Sequence, residues 1–205
     1  MGIFERKERE RQEMHALILE TAMKLFLEEG YGNVTIRKIA RQIEYSPATV
    51  YQYFKDREEI FDALRTMAFT RFYEQIIPLR DVRDPSERLR MGGEAYIDFA
   101  INNPKYYDLM FIMRPPLRQE EEGNESPAKK SYELLRQNIQ DCIAAHQLRA
   151  ETDIDTAAFA MWSFIHGATS LLIRQRAGMI PAKDLRSTVD GALNFMLDQF
   201  TGERQ

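Results

Sequence analysis

The stretch TIRKIARQIEYSPATVYQYFKDREE, residues 35–59, contains three helix starts in quick succession. Thr35 fits an N-cap, with Val34 before it and Ile39 after it placed for a hydrophobic staple. The helix it opens, IRKIARQ, lasts two turns and breaks at IEY. Ser46 caps the next helix, and Pro47 takes the first helical position, where its missing N–H costs nothing. Tyr45 and Val50 form a second staple. Asp56 caps a third helix, with Glu59 at the reciprocal capping-box position. Two very short helices joined by a turn of about three residues have the spacing of a helix-turn-helix. Such a pair is not stable alone, so it must rest on a helix before it and a helix after it.

Both supports are present. Upstream, about residues 6 to 29 form a helix in which Leu17, Ile18, Thr21, Ala22, Leu25 and Phe26 recur at helical spacing. It ends at Gly30, a natural left-handed terminator. Downstream, the helix capped by Asp56 runs to about Ile77, where Pro78 stops it. Beyond it the pattern stays helical. DPSERLRMGGEAYIDFAINN reads as one helix weakened by Gly92 and Gly93, and PKYYDLMFIM as another starting at Pro104. RPPLRQEEEGNESP reads as a solvated loop, and three further helices close the chain. No strand and no internal repeat emerges. The expectation is an all-α protein of about nine helices. Residues 1–55 would form a three-helix, helix-turn-helix DNA-binding domain, and residues 56–205 a larger helical ligand-binding and dimerisation domain.

Composition narrows the function. The chain has 205 residues, 44% hydrophobic and 29% charged, with net charge -4. That charge argues against a wholly nucleic-acid-binding surface but not against a local basic patch. No apolar run approaches the roughly 18 residues of a membrane span, and MGIFERKERERQ lacks the apolar segment of a secretory signal. Cys142 stands alone, which fits a reducing compartment, and the expected location is the cytoplasm. His15, His146 and His166 share no ligand spacing with Cys142, so no metal or other cofactor is expected.

The residue types of 46–54 suit a helix that reads DNA. Val50 and Phe54 are inward anchors. Pro47, Ala48, Thr49 and Gln52 can face a major groove, where Gln pairs with adenine and small apolar groups meet a thymine methyl. Tyr51 and Tyr53 can offer hydroxyls to phosphates. Lys55 and Arg57 flank the next helix start, whose dipole adds to phosphate attraction. Arg37 can reach a guanine or a phosphate. Lys7, Arg9 and Arg11 alternate with Glu5, Glu8, Glu10 and Glu13, which reads as a solvated helix face rather than a basic arm. The plainer alternative for 46–54 is a surface helix that only packs.

GYGNVTIRKIARQIEYSPATVYQYFKDREEIFDAL, with the helix before it, resembles the DNA-binding domain of the TetR/AcrR family of transcriptional regulators. The shared features are the aromatic after Gly30, the start at Thr35, Ile39-Ala40, the S-x-x-T-[LV]-Y-x-Y-F core, and the run from Lys55 to Glu59. The resemblance implies that Arg37 touches bases, and that Pro47, Ala48, Thr49 and Gln52 line the groove. It implies backbone contacts from Thr35, Tyr51, Tyr53 and Arg57; Ser46, at the cap, and Lys55, at the next helix start, are further DNA-binding candidates read from the residues. Glu44 departs from the family, which usually has glycine there. A positive φ at Glu44 would cost of order 1 kcal/mol.

A module of this size reads only a few base pairs, so a homodimer on a palindromic double-stranded operator is expected. In DTAAFAMWSFIHGATSLLIRQ, Ala160, Ser163, Gly167 and Ser170 form a small-residue stripe beside a bulky one of Phe159, Trp162, His166 and Ile173. The expectation is that the bulky stripe packs inward and the small one meets a second subunit, together with Leu193, Met196 and Leu197 of the last helix. PKYYDLMF and the W-x-x-x-H-G of Trp162, His166 and Gly167 resemble the WHG-type C-terminal domain of one branch of the family. That implies an unknown small-molecule effector, for which Tyr106, Met110, Met113, Trp162 and His166 are candidate pocket residues. Core packing is the alternative for each, and for His166 a hydrogen bond to a carbonyl or tyrosine. The expected function is a ligand-controlled regulator, a repressor, with the helix from Asp56 to about Ile77 as lever. Two competitors remain: an interaction protein that keeps the fold without reading DNA, and a small helical enzyme using His166. No nucleophile–base pair or phosphate loop at workable spacing supports the enzyme, so no catalytic residue is assigned.

Overall fold

Caps and staples place the helices of a computed structural model that describes residues 2–113, 126–176, 178, 180 and 184–201. The described residues form nine α-helices and no strand: α1 Ile3–Glu29, α2 Ile36–Gln42, α3 Pro47–Tyr51, α4 Arg57–Ile76, α5 Pro85–Asn102, α6 Pro104–Tyr107, α7 Pro127–Ala144, α8 Ile154–Ile173 and α9 Leu185–Thr201. The Thr35 hydroxyl accepts from the Lys38 amide at 3.2 Å, and that of Ser46 from the Thr49 amide at 3.2 Å. Asp56 accepts from the Glu59 amide at 2.8 Å, while the Glu59 carboxylate reaches back one residue further than expected, to the Lys55 amide. Gly30 ends α1 at φ 80°, donating its N–H to the Phe26 carbonyl. Pro78 follows α4 inside a short 3₁₀ turn, Ile77–Asp81.

The chain divides into two compact units, Met1–Ala68 with Lys105–Glu122, and Phe69–Pro104 with Gly123–Gln205. In the first, α1 contributes Ile18, Ala22, Leu25 and Phe26 to one core with Val34, Ile39, Val50, Phe54, Phe61 and Leu64. Phe26, Tyr31 and Phe61 form a triad of ring contacts at 5.2–5.5 Å. Leu17, expected in the core, is 39% exposed, and Leu19 is buried in its place. PKYYDLMFIM is not one α-helix. After α6 it widens into a π-helical turn, Asp108–Ile112, closed by the Met113 amide on the Asp108 carbonyl.

In the second unit α5 packs against α7, α8 and α9, and α8 also against α7 and α9. Gly93 is where α9 comes closest. A Cβ there would lie 2.8 Å from Leu193 Cδ2, whereas one at Gly92 would meet nothing within 4 Å. Arg186 ties the same two helices by pairing with Asp98 at 2.6 Å and Asp190 at 2.9 Å. The start of α5 is held to the end of α7 by Arg88–Asp141 at 2.7 Å, and Gln147 donates to the capping Asp84 at 2.8 Å. Buried Cys142 sits nearby, and desolvation raises its thiol pKa to about 12.

Helix α8 is 20 residues long and apolar enough by length and composition to cross a membrane, which inspection of the sequence for an unbroken apolar run does not register. Its inward residues are Ala157, Ala158, Met161, Ile165 and Thr169. This corrects the expected bulky core stripe: Phe159 is 60% exposed, and Trp162 and His166 are half-buried. RPPLRQEEEGNESP falls almost wholly outside the described residues.

Candidate nucleic-acid interface

Helix α3 is shorter than the stretch 46–54 suggests. It spans Pro47–Tyr51, with Gln52 and Tyr53 in the turn that follows. Val50 is fully buried and Phe54 nearly so, and Phe54 stacks under His15 of α1 with centroids 4.7 Å apart. These anchors fix which side of the short helix faces out. Ala48, Tyr51 and Gln52 are exposed, and Pro47, Thr49 and Tyr53 are half-buried. Ser46 and Thr49 share a hydroxyl contact of 3.0 Å, which adds to the cap and orients both groups. Thr35, at the start of α2, is exposed.

The turn between α2 and α3 adopts the geometry that favours glycine. Glu44 has φ 61°, and its N–H donates to the Arg41 carbonyl at 3.2 Å. The Tyr45 amide donates to the Ala40 carbonyl at 2.9 Å, which closes the turn. These bonds hold the left-handed residue in place, but among the described residues none is recorded for the Glu44 carboxylate.

Cations at this surface fall into two groups. Arg37 and Lys55 are exposed, and no ion pair or side-chain hydrogen bond is recorded for either among the described residues. Arg57 is different, because its own chain supplies its partners. Its Nη1 donates to the carbonyls of Val34 at 2.9 Å, Tyr31 at 3.3 Å and Gly32 at 3.4 Å. Its Nε donates to Glu58 at 3.2 Å, and the guanidinium lies 4.6 Å from the Tyr31 ring centroid. Arg57 therefore clamps the turn between α1 and α2. The Tyr31 hydroxyl donates to the same Glu58 carboxylate at 2.9 Å; burial first, then Glu58, raises the Tyr31 pKa to about 12. Burial opposes ionisation of Glu58, but its own amide, Tyr31 and Arg57 together lower its pKa. Lys38 pairs with Glu29 and fastens α2 to the end of α1.

The other expected site residues fall in both units. Tyr106 and Met113 pack on the N-terminal core, and Met110 is buried, whereas Trp162 and His166 belong to the second unit. Nδ1 of His166 is 3.0 Å from the Tyr96 hydroxyl, and burial lowers its pKa. Trp162 has edge contacts with Tyr132 and Phe159. Of the expected dimer residues, Ala160, Ser163 and Gly167 are exposed, and Ser170 and Met196 are half-buried. Leu193 and Leu197, 2% and 6% exposed, belong to the chain's own core rather than to a free face. Exposed large apolar groups on these two helices are Phe159 and Leu171 of α8 and Phe195 of α9. Reading by motif also passes over Arg41 and Tyr45, both exposed beside α3. Arg41 is signalled only by its position in the last turn of α2, and Tyr45 by its place just before the Ser46 cap, where it reads as a staple to Val50.

Residues 18–64 match the family model described as bacterial regulatory proteins, tetR family. Residues 89–196, more than half of the chain, match the tetracyclin repressor-like C-terminal domain. The regulator HbdR of Aromatoleum sp. (strain CIB) is 41% identical over 88 residues, 42% of this chain and 38% of that one. This chain thus spans well under two thirds of the length of that relative. AcrR of Shigella flexneri is 23% identical over 169 residues, 77% of each chain. A solved structure of the regulator FadR from Bacillus subtilis in complex with stearoyl-CoA has a TM-score of 0.73 at 17% identity, covering 89% of this chain and 97% of that one. That likeness shows the shared fold. The family is described as bacterial regulatory proteins, and HbdR and AcrR are both named as transcriptional regulators. The capped α2–α3 pair, its outward polar face and both family models converge: this chain belongs to the TetR family and is a helix-turn-helix transcriptional regulator.

Proposed function

We propose that the chain is a ligand-controlled repressor that binds a palindromic operator as a homodimer in the bacterial cytoplasm. One observation carries the reading. A five-residue helix, too short to be a core element, is capped and anchored so that Ala48, Tyr51 and Gln52 face outward beside Arg37 and Lys55, cations with no recorded partner. Pro47, Ala48, Thr49 and Gln52 meet base edges. Thr35, Ser46, Tyr51, Tyr53 and Lys55 meet the backbone, and Arg37 either. Residues 1–55 read DNA, and residues 56–205 pair the subunits and take the effector.

The partner surface is the face of α8 bearing Phe159, Ala160, Ser163, Gly167 and Leu171, with Phe195 and Met196 of α9. Small residues let a second copy of α8 approach, and the exposed rings supply apolar area. The effector is an apolar small molecule. The stearoyl-CoA of the Bacillus subtilis relative makes fatty acyl thioesters the first class to test. Its binding favours a geometry, transmitted through α4, in which the two reading helices no longer match successive major grooves.

The test is fluorescence anisotropy with promoter fragments from the chain's own locus. Parent protein binds one fragment selectively, and Gln52→Ala changes which operator variant is preferred. A parent that treats operator and random duplex alike defeats the proposal, and would favour the interaction-protein reading. An acyl thioester that leaves the bound fraction unchanged removes that effector class alone.

A further inference from the structure

The interior of the second unit holds a buried hydroxyl without a partner. Thr169 of α8 is 0% exposed, and its Oγ1 makes no hydrogen bond among the described residues. It lacks even the back-bond to the carbonyl four residues earlier that a helical threonine can form. Such an orphan opposes folding, whereas a valine of the same shape would leave nothing unpaired.

The surroundings suit a small molecule. Trp162, His166 and Thr169 follow at steps of four and three along one face of α8, from two half-buried rings to the buried hydroxyl. The His166 ring lies 6.0 Å from that of Trp162, and its Nδ1 is 3.0 Å from the Tyr96 hydroxyl of α5. The Tyr96 ring meets Phe72 edge-on at 5.5 Å, and Tyr132 of α7 meets Trp162 at 6.1 Å. A few hydrogen-bonding groups set among rings are the composition of a ligand site. Burial favours the neutral His166 ring. A hydroxyl beside a neutral tyrosine–histidine pair supplies hydrogen bonds but no counter-charge, so an ionised group brought there would lose its hydration uncompensated. A neutral oxygen needs only the bond that Thr169 lacks. We infer that Thr169 is the hydrogen-bonding point of the effector site, and that its ligand presents to it an apolar body bearing one uncharged carbonyl or hydroxyl oxygen. A thioester carbonyl meets that requirement and a free carboxylate does not. Because Thr169 is covered, the ligand displaces side chains to reach it from the half-buried end of the stripe. The inference rests on the effector reading proposed above.

The test uses the full chain with 1-octanol, 2-octanone and octanoate as probes, titrated by calorimetry. Emission of Trp162, the chain's one tryptophan, reports locally on 1-octanol. The parent should bind both neutral probes, and octanoate more weakly. Thr169→Val should weaken both neutral probes by about 2- to 12-fold, the worth of one hydrogen bond. The same variant should raise the Tm of the ligand-free chain by about 2 °C or more. Thr169→Ser keeps the hydroxyl and should bind as the parent does. A packing role would lower the Tm of Thr169→Val, and an orphan that meets no ligand would raise it and leave affinity alone. Either result overturns the inference, as does a parent that binds neither neutral probe or binds octanoate as tightly. Probes that bind as expected but leave the affinity for the promoter fragment unchanged keep the site, and refute ligand control in the proposed function instead.

Discussion

Replacing Glu44 with glycine should make the N-terminal unit more stable and its DNA binding tighter. Glu44 has φ 61° in the turn between α2 and α3. An L-residue with a Cβ pays about 1–2 kcal/mol for that conformation, and no recorded bond of its carboxylate offsets the cost. Glycine removes the strain but adds roughly 0.4–1 kcal/mol of unfolded-state entropy. The net gain is about 0.5–1 kcal/mol. At about 2–4 °C per kcal/mol for a chain of this length, Tm rises by roughly 1–4 °C. Urea titration followed by circular dichroism measures the free-energy gain and a thermal scan the Tm, with Glu44→Ala as the control that keeps the strain and gains nothing. Loss of the carboxylate beside α3 also strengthens attraction for phosphates, so Glu44→Gly and Glu44→Gln should both bind random duplex more tightly than the parent. If Glu44→Gly is no more stable than Glu44→Ala, the strain argument fails. If Glu44→Gln leaves non-specific affinity unchanged, the electrostatic argument fails separately.

Arg57→Ala should cost about 1–3 kcal/mol, because the carbonyls of Tyr31, Gly32 and Val34 lose their shared donor, while the affinity of the folded fraction for operator stays within about twofold; urea titration, with a stoichiometric DNA titration that counts the binding-competent fraction of the same sample, separates the two. Gly92→Ala should stabilise α5 by about 0.5–1 kcal/mol. Gly93→Ala should end at least about 1 kcal/mol less stable than Gly92→Ala, since its Cβ displaces Leu193 in the core; paired denaturation curves decide it. His166 has a folded pKa below its ordinary 6.5 because of burial. The unfolded chain then binds the extra proton first, so stability is full above about pH 6.5 and declines as pH falls below it. His166→Gln should flatten that decline in stability measured between pH 7.5 and 5.

Local chemistry accounts for what the sequence shows most clearly. A cap is a contact between residues three apart, so Thr35, Ser46 and Asp56 are legible without tertiary knowledge, whereas the left-handed residue at Glu44 is expected only from the family resemblance. Direction is harder. Arg57 is visibly a cation beside a helix start, but the carbonyls that claim it lie 23–26 residues upstream in a turn whose shape is not local. The inward face of α8 is likewise set by what α5, α7 and α9 present. A stripe of Ala157, Ala158, Met161 and Ile165 fits there, and the larger Phe159 is left outside. Leu193 is apolar by sequence, but only the approach of α9 to Gly93 makes it a core residue.

Sedimentation velocity of the chain mixed with a labelled promoter fragment from its own locus tests the central claim most directly. The account predicts a complex carrying protomers in twos, with the fragment preferred over a random duplex of equal length by about a thousandfold or more. Single protomers on the DNA, or equal affinity for both duplexes, would contradict it.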